Sequence, residues 1–392
     1  MILRRNIVEI AEDSALLFYG AALSLAYLIT AFFLVAHNHY VGIVSRNVPP
    51  ICWPYFESCY RYRTWSDFTL YLAISSLGLG SLFAFVLFLK RKVGLAYFFL
   101  TFIAFIHLIL ISLDFRNTQN QYYMLMWITF AYLFWPGKRS VIHYLALSFY
   151  FWAGRLKLNW QWLSGYNLYR DLWLIPKPLY SAACIYVVIL EMFMIWGLVA
   201  RNRIWFWATL IQLVFFHVIS ASQIGYYYPA LMLTLLTIYP LSRSDRQSER
   251  WLGLKPSGFV LVALFAFFQI YPSLVSRKSE ISGVGRTFAL NMFEGIYDCN
   301  VYWVEHFKDG RTVRVDVMDR ETERLRCEPI YYYSKTLNQC RSGATDANFL
   351  DLDFFMDVGI RSVTELTPVI HQSNFCATKP AFNLFLPNTW ME

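Results

Sequence analysis

Nine long apolar runs dominate this chain and leave it few ways to fold. A backbone in hydrocarbon has no water to bond, so such runs become helices that satisfy their own amide groups. They read as membrane spans at 14–36, 68–89, 94–113, 121–135, 141–158, 179–199, 204–222, 227–241 and 257–275. A span needs roughly 20 apolar residues; the fourth and eighth runs are shorter, which tilting or extension accommodates. The chain has 392 residues, of which 57% are hydrophobic and only 15% charged, a balance rare in soluble proteins. Met1 to Asp13 carry neither an apolar core nor a small-residue cleavage site, so they do not read as a signal peptide. With Arg4 and Arg5 among Ile, Val and Glu, they read as a short interfacial helix.

The net charge of +8 has its explanation in topology and calls for no nucleic-acid partner. Alternate loops carry Lys90, Arg91 and Lys92; Lys138 and Arg139; Arg201 and Arg203; and Arg243, Arg246, Arg250 and Lys255. With nine spans all of these fall on one side together with Arg4 and Arg5, as the positive-inside rule requires. The N-terminus is then cytoplasmic and the C-terminus extracytoplasmic, which means the periplasm for a bacterial inner membrane or the lumen for the endoplasmic reticulum. The expected fold is a polytopic α-helical membrane protein with a transmembrane domain at 1–275 and a small β-rich outer domain at 276–392. Asn300 to Val304 and Thr312 to Val317 have strand character, and Lys308-Asp309-Gly310-Arg311 between them is a hairpin signal. No internal repeat or low-complexity segment is evident.

Cysteine usage fits this sidedness. Cys184 lies in a span, whereas Cys52, Cys59, Cys299, Cys327, Cys340 and Cys376 all fall outside. An even set in an oxidising compartment predicts disulfides. The Cys52–Cys59 spacing closes a small loop, and the other four allow three pairings. No close His/Cys grouping suggests a metal site.

Ionisable groups inside hydrocarbon are expensive and mark function by default. Lys157 closes the fifth span, and Arg155 lies about 200° around the helix from it, so the two face different environments. Counting the helical rise from Arg139 puts Lys157 roughly 27 Å up, near the outer surface, and counting from Arg203 puts His217 roughly 21 Å up. His107 has a similar height, and Asn120 and Gln121 open the fourth span from the outside. These five groups therefore converge in the outer half of the membrane. Glu191 lies deeper in the sixth span, which argues against a direct pair with Lys157. Each group also has a structural use: a snorkelling lysine, interhelical hydrogen-bonding histidines, a helix cap at Asn120 and Gln121, a bundle clamp at Glu191. No GxxxxGK[ST], HExxH, GxSxG or CxxCH pattern occurs.

Ala153-Gly154, then Lys157-Leu158-Asn159, Trp162, Gly165 and Tyr166 resemble the signature of the vitamin K-dependent γ-glutamyl carboxylase family, including bacterial relatives with the horizontally transferred transmembrane domain. Phe216-His217 followed by Gln223-Ile224-Gly225 is similar to a second family segment. The likeness runs over residues 15–275, and more loosely over Met292-Phe293 and Trp303 to Arg311. Asn159 stands where the family has aspartate, Glu191 where it has an intramembrane aspartate, and Asn120-Gln121 where it has Asn-His. Glutamine does not relay a proton as imidazole does.

The resemblance implies an enzyme that couples oxygenation (epoxidation) of a reduced naphthoquinone, vitamin K or menaquinol, to glutamyl carboxylation, with O2 and CO2 as co-substrates. Lys157 would be the base toward a quinol hydroxyl, Asn120 and Gln121 would orient it, and His217 would bond the quinone. His217, His107, Tyr150 and Trp160 are the candidate cofactor contacts, and Glu191 has a structural or proton-related role. Expected partners are membrane lipid, the lipid quinol and a secreted or membrane peptide at the outer domain. Gln121 and the short outer domain favour an alternative: a non-carboxylating quinol- or lipid-binding protein, or a maturation factor for a secreted peptide. A transporter or assembly subunit finds no support in an inverted repeat.

Overall fold

The computed structural model of the chain describes residues 2–36, 51–56, 59, 67–117, 119–166, 168, 171–172, 174–244, 253–276, 282–290, 297–318, 326–360 and 365–391. Arg246, Arg250 and Met292-Phe293 lie outside the described residues. The chain divides into two compact units: residues 1–45, 65–111 and 119–266 form one, and residues 46–64, 112–118 and 267–392 the other.

The first unit is helical. An amphipathic α1 (Ile2–Glu12) leads into α2 (Ser14–Ala36), followed by α3 (Asp67–Leu89), α4 (Val93–Leu113), α5 (Asn120–Phe134) and α6 (Lys138–Leu156). A four-residue α7 (Trp160–Leu163) precedes α8 (Tyr180–Met192), which continues as a 3-10 turn at Met194–Val199. Then come α9 (Arg203–Ile224), α10 (Tyr227–Leu236), α11 (Ile238–Ser244) and α12 (Pro256–Val275), the last running on into the second unit. Helix thus occupies every one of the expected apolar runs. Among the described residues, six helical stretches are long and apolar enough to cross a membrane: Ser14–Ala36, Tyr71–Leu89, Val93–Leu113, Lys177–Val199, Arg203–Ile224 and Pro256–Val275. Helix α5 has only 15 residues, and the eighth run is broken at Thr237 between α10 and α11.

Few side chains can tie apolar helices together, and here tyrosine hydroxyls do much of it. Tyr19, Tyr97, Tyr132 and Tyr239 donate to the carbonyls of Leu235, Leu133, Leu16 and His143. Each ring adds apolar bulk while its hydroxyl finds the partner a buried polar group needs. Ser24 and Thr30 bond back to the carbonyl one turn earlier in α2.

The basic connectors meet at one end of this unit. Lys138 is fully buried; its Nζ donates to Asn6 Oδ1 and to the carbonyls of Leu133 and Trp135, closing the C-terminus of α5. Glu9 accepts from the Lys138 amide, and Arg139 reaches Asp13 and Ser242. Arg243 donates to the carbonyls of Ala200 and Arg201, and the Lys255 side chain lies beside Gly137.

The second unit holds a four-stranded antiparallel sheet in the order β2-β1-β3-β4, with β1 Tyr297–Phe307, β2 Thr312–Asp316, β3 Phe349–Ile360 and β4 Thr367–Gln372. The expected hairpin joins β1 to β2, and Gly310 at φ 82° supplies the left-handed turn residue. Two features escaped the sequence reading. A 15-residue helix, α13 (Pro329–Gly343), covers one sheet face with the short α14 (Phe375–Thr378). Ile51, Trp53 and Phe115, from connectors far up the chain, belong to the same core. The disulfides are Cys52–Cys59, Cys299–Cys327 and Cys340–Cys376, while Cys184 is free and buried in the first unit.

Candidate functional site

Helix α6 ends at Leu156, and Lys157 is its C-cap, its amide donating to the carbonyls of Gly154 and Arg155. A new helix starts at once, because Asn159 is the N-cap of α7. Its Oδ1 accepts from Trp162 N at 2.9 Å while its Nδ2 donates to Leu156 O at 3.0 Å. One amide therefore caps the end of one helix and the start of the next. An aspartate could accept the first bond and could not donate the second.

Helix α8 runs antiparallel to this segment. Gly165 abuts Tyr180, Ser181 Oγ bonds Leu163 O, Trp162 Nε1 bonds Cys184 O, and Gly154 abuts Glu191 and Met192. Two glycines make that approach possible. A Cβ at Gly154 would meet Glu191 Cβ at 3.0 Å and Met192 Cγ at 2.7 Å; one at Gly165, itself at φ 78°, would meet Tyr180 Cβ at 2.9 Å. The glycines of the AG and GY pairs thus bracket Lys157 with two close helix contacts.

Between those contacts Lys157 Nζ lies 2.5 Å from Glu191 Oε2, each side chain 3% exposed. This corrects the expectation that their depths keep them apart. Helical side chains tilt toward the N-terminus of their own helix. On antiparallel helices the two therefore lean toward each other, and Lys157 reaches back to within 3.5 Å of Ala153 O. Nor does Lys157 end at an exposed rim: α7 follows it, and the Trp162 ring lies 5.3 Å from Nζ. Arg155 is exposed, its guanidinium over Trp152, so the two cations do face different surroundings.

A second polar pair adjoins the first. Tyr150 lies two turns before Lys157 on the same face of α6, and its hydroxyl is 2.6 Å from His217 Nε2 on α9. Because Tyr150 and Lys157 share one face of α6, the two buried pairs lie along the same side of that helix. Phe216 and Tyr228 pack on the His217 ring. His217 Nδ1 is buried without a hydrogen-bond partner among the described residues. Whichever tautomer is present, one donor or acceptor there is left open.

The remaining candidates stand on other elements of the helical unit. His107 is buried on α4 between the rings of Tyr27 and Tyr122, with neither nitrogen hydrogen-bonded among the described residues. Of the consecutive tyrosines of α10, Tyr228 packs on His217, whereas Tyr227 packs on Tyr122, itself a neighbour of His107. Asn120 and Gln121 form the first turn of α5, where Gln121 is buried and its amide donates to Gln119 Oε1. Trp160 is 73% exposed; the indole beside Lys157 belongs to Trp162, which the sequence offered only as a motif position. Among the described residues no group of three His, Cys, Asp or Glu could hold a metal.

Chemically, a buried lysine–carboxylate pair can exist as an ion pair or, after one proton shift, as a neutral amine and acid. The low dielectric brings these two forms closer in energy than they are in water. Beside it, a phenol–imidazole pair with an open ring nitrogen offers hydrogen bonding to a polar ligand. Comparison with known protein families, with characterised proteins and with solved structures finds no match for this chain.

Proposed function

We propose that this protein is an integral membrane enzyme of the vitamin K-dependent carboxylase type, and that Lys157 is the base toward a quinol hydroxyl. The observation that carries the reading is the buried Lys157–Glu191 pair beside Tyr150 and His217. A lysine acts as a base only when neutral. Proton transfer to Glu191 provides the neutral amine without exporting a charge through hydrocarbon. The open Nδ1 of His217 is an orphaned buried polar atom of the kind a quinone oxygen would satisfy, so the residues present fit the group. His217 and Tyr150 would hold it, with Asn120 and Gln121 orienting the lysine side. The reduced naphthoquinone, reacting with O2, supplies the strong base that a glutamyl γ-carbon needs before CO2 adds.

In this reading all nine helical runs cross the membrane and the N-terminus is cytoplasmic. The basic connectors lie at one end of the helical unit, and the single connector that carries Cys52 and Cys59 joins the opposite ends of α2 and α3. That arrangement suits a disulfide-bearing extracytoplasmic unit. It would face the periplasm or the lumen of the endoplasmic reticulum and would receive a secreted or membrane peptide.

The test supplies reduced vitamin K or menaquinol and O2 to wild type and Lys157→Ala. Loss of epoxide formation by at least about 100-fold is expected for removal of a general base. Unchanged epoxide formation would sink the role of Lys157. One observation favours a second reading, quinol or lipid binding without carboxylation: Lys157 rests against a carboxylate instead of standing free. Product analysis separates the two. Epoxide without carboxyglutamate means a quinol oxygenase; neither product means a binding or maturation factor.

A further inference from the structure

Three connectors at the basic end of the helical unit present cations with no carboxylate beside them. Arg4 and Arg5 on α1, the Lys90-Arg91-Lys92 turn between α3 and α4, and Arg201 with Arg203 before α9 are all exposed. None pairs with an acid among the described residues. Of the acids nearby, Glu9 accepts from the Lys138 amide and Asp13 holds Arg139 and caps the first turn of α2, which leaves Glu12 as the one exposed acid of α1 against Arg4 and Arg5. These connectors lie at one end, because α1 is bonded to the start of α6, the first turn of α4 to the end of α5 through Tyr97, and Arg243 to the 200–201 turn.

Each cationic group also sits at the rim of an apolar belt. Leu3 is 57% exposed beside Arg4, Leu89 is 50% exposed beside Lys90, and Ile204 is 78% exposed beside Arg203. Exposed aliphatic carbon on such helices faces acyl chains, so a cation at its border lies at headgroup level. We propose that this end of the helical unit is a docking surface for anionic phospholipid headgroups, which fill the place of the missing carboxylates. Unpaired cations, an acid-poor surface and an apolar rim are the complementarity such lipids require.

The purified full chain is placed in nanodiscs of equal phosphatidylglycerol and phosphatidylcholine, and the lipids retained after detergent extraction are counted by mass spectrometry. Wild type is expected to enrich phosphatidylglycerol by about threefold or more at low ionic strength. The enrichment should collapse as the Debye length falls from about 30 Å at 0.01 M salt to about 3 Å at 1 M, a measurement that needs no substitution. The combined variant Lys90→Gln, Arg91→Gln, Lys92→Gln, Arg201→Gln and Arg203→Gln should approach parity. Lys308→Gln with Arg311→Gln, in the other unit, should keep the wild-type ratio. Parity in wild type, a salt-insensitive ratio, or full enrichment in the five-site variant would each overturn the proposal.

Discussion

The two units solve the same problem, what to do with polar groups, in opposite ways. The helical unit has few polar side chains and buries two ionisable pairs deep within it, Lys157–Glu191 and Tyr150–His217. The sheet unit leaves most of its pairs near water, Arg286–Glu328 being the most buried one among the described residues, and takes covalent help from three disulfides. Its open face shows this. Arg314, Tyr302, Phe355 and His371 pack in a row across the strands, the last two edge to face, flanked by His306–Asp353 and the partly exposed His371–Asp357. A paired charge is therefore expected to matter greatly in one unit and little in the other, because stability depends on what replaces water around it.

The largest effect should come from breaking the buried pair. Glu191→Gln leaves an ammonium in an apolar core and should cost about 3–5 kcal/mol. Lys157→Met with Glu191→Leu should recover most of it while leaving the protein inactive. Thermal unfolding in detergent checks both, and a double variant no more stable than the single one would break the comparison. Next come the disulfides. Loop-closure entropy predicts about 3–4 kcal/mol for Cys299–Cys327 or Cys340–Cys376, whose separations are 28 and 36 residues. The short Cys52–Cys59 loop should give less, about 2–3 kcal/mol. Chemical denaturation of serine pairs would show that ranking, and a reversed order would show that strain or local packing outweighs entropy. Smaller again is Asn159→Asp, about 1 kcal/mol, since the N-cap bond survives and only the bond to Leu156 O is lost. His371→Gln should cost under about 1 kcal/mol, and a larger loss would mean that the open sheet face is buried in use.

Apolar runs made the helices legible, because nothing but a helix satisfies twenty consecutive buried amides. The Lys308–Arg311 turn and the pairing of Cys52 with Cys59 were likewise local signals. What stayed hidden was relational. Counting rise places a Cα, and the Lys157–Glu191 bond depends on which way two side chains lean and on Gly154 letting α8 close in. Helix α13 lay behind three tyrosines that suit strands, although Pro329 in the first turn and the buried spacing Tyr332, Thr336, Cys340, Gly343 have helical period. Nothing local marked Trp53 and Phe115 as core of a unit whose sheet begins more than a hundred residues later. At the site, Trp160 and Trp162 are alike in sequence, and only the cap formed by Asn159 decides which indole meets the lysine.

The central claim is that the buried cluster of α6, α8 and α9 takes a quinol. Mass spectrometry of small molecules retained by the purified protein tests it most directly. A naphthoquinone should co-purify with wild type and be lost from the Tyr150→Phe/His217→Phe variant, while the Cys340→Ser/Cys376→Ser variant, if folded, retains it. No naphthoquinone in wild type, or equal retention when Tyr150 and His217 are replaced, would contradict the account.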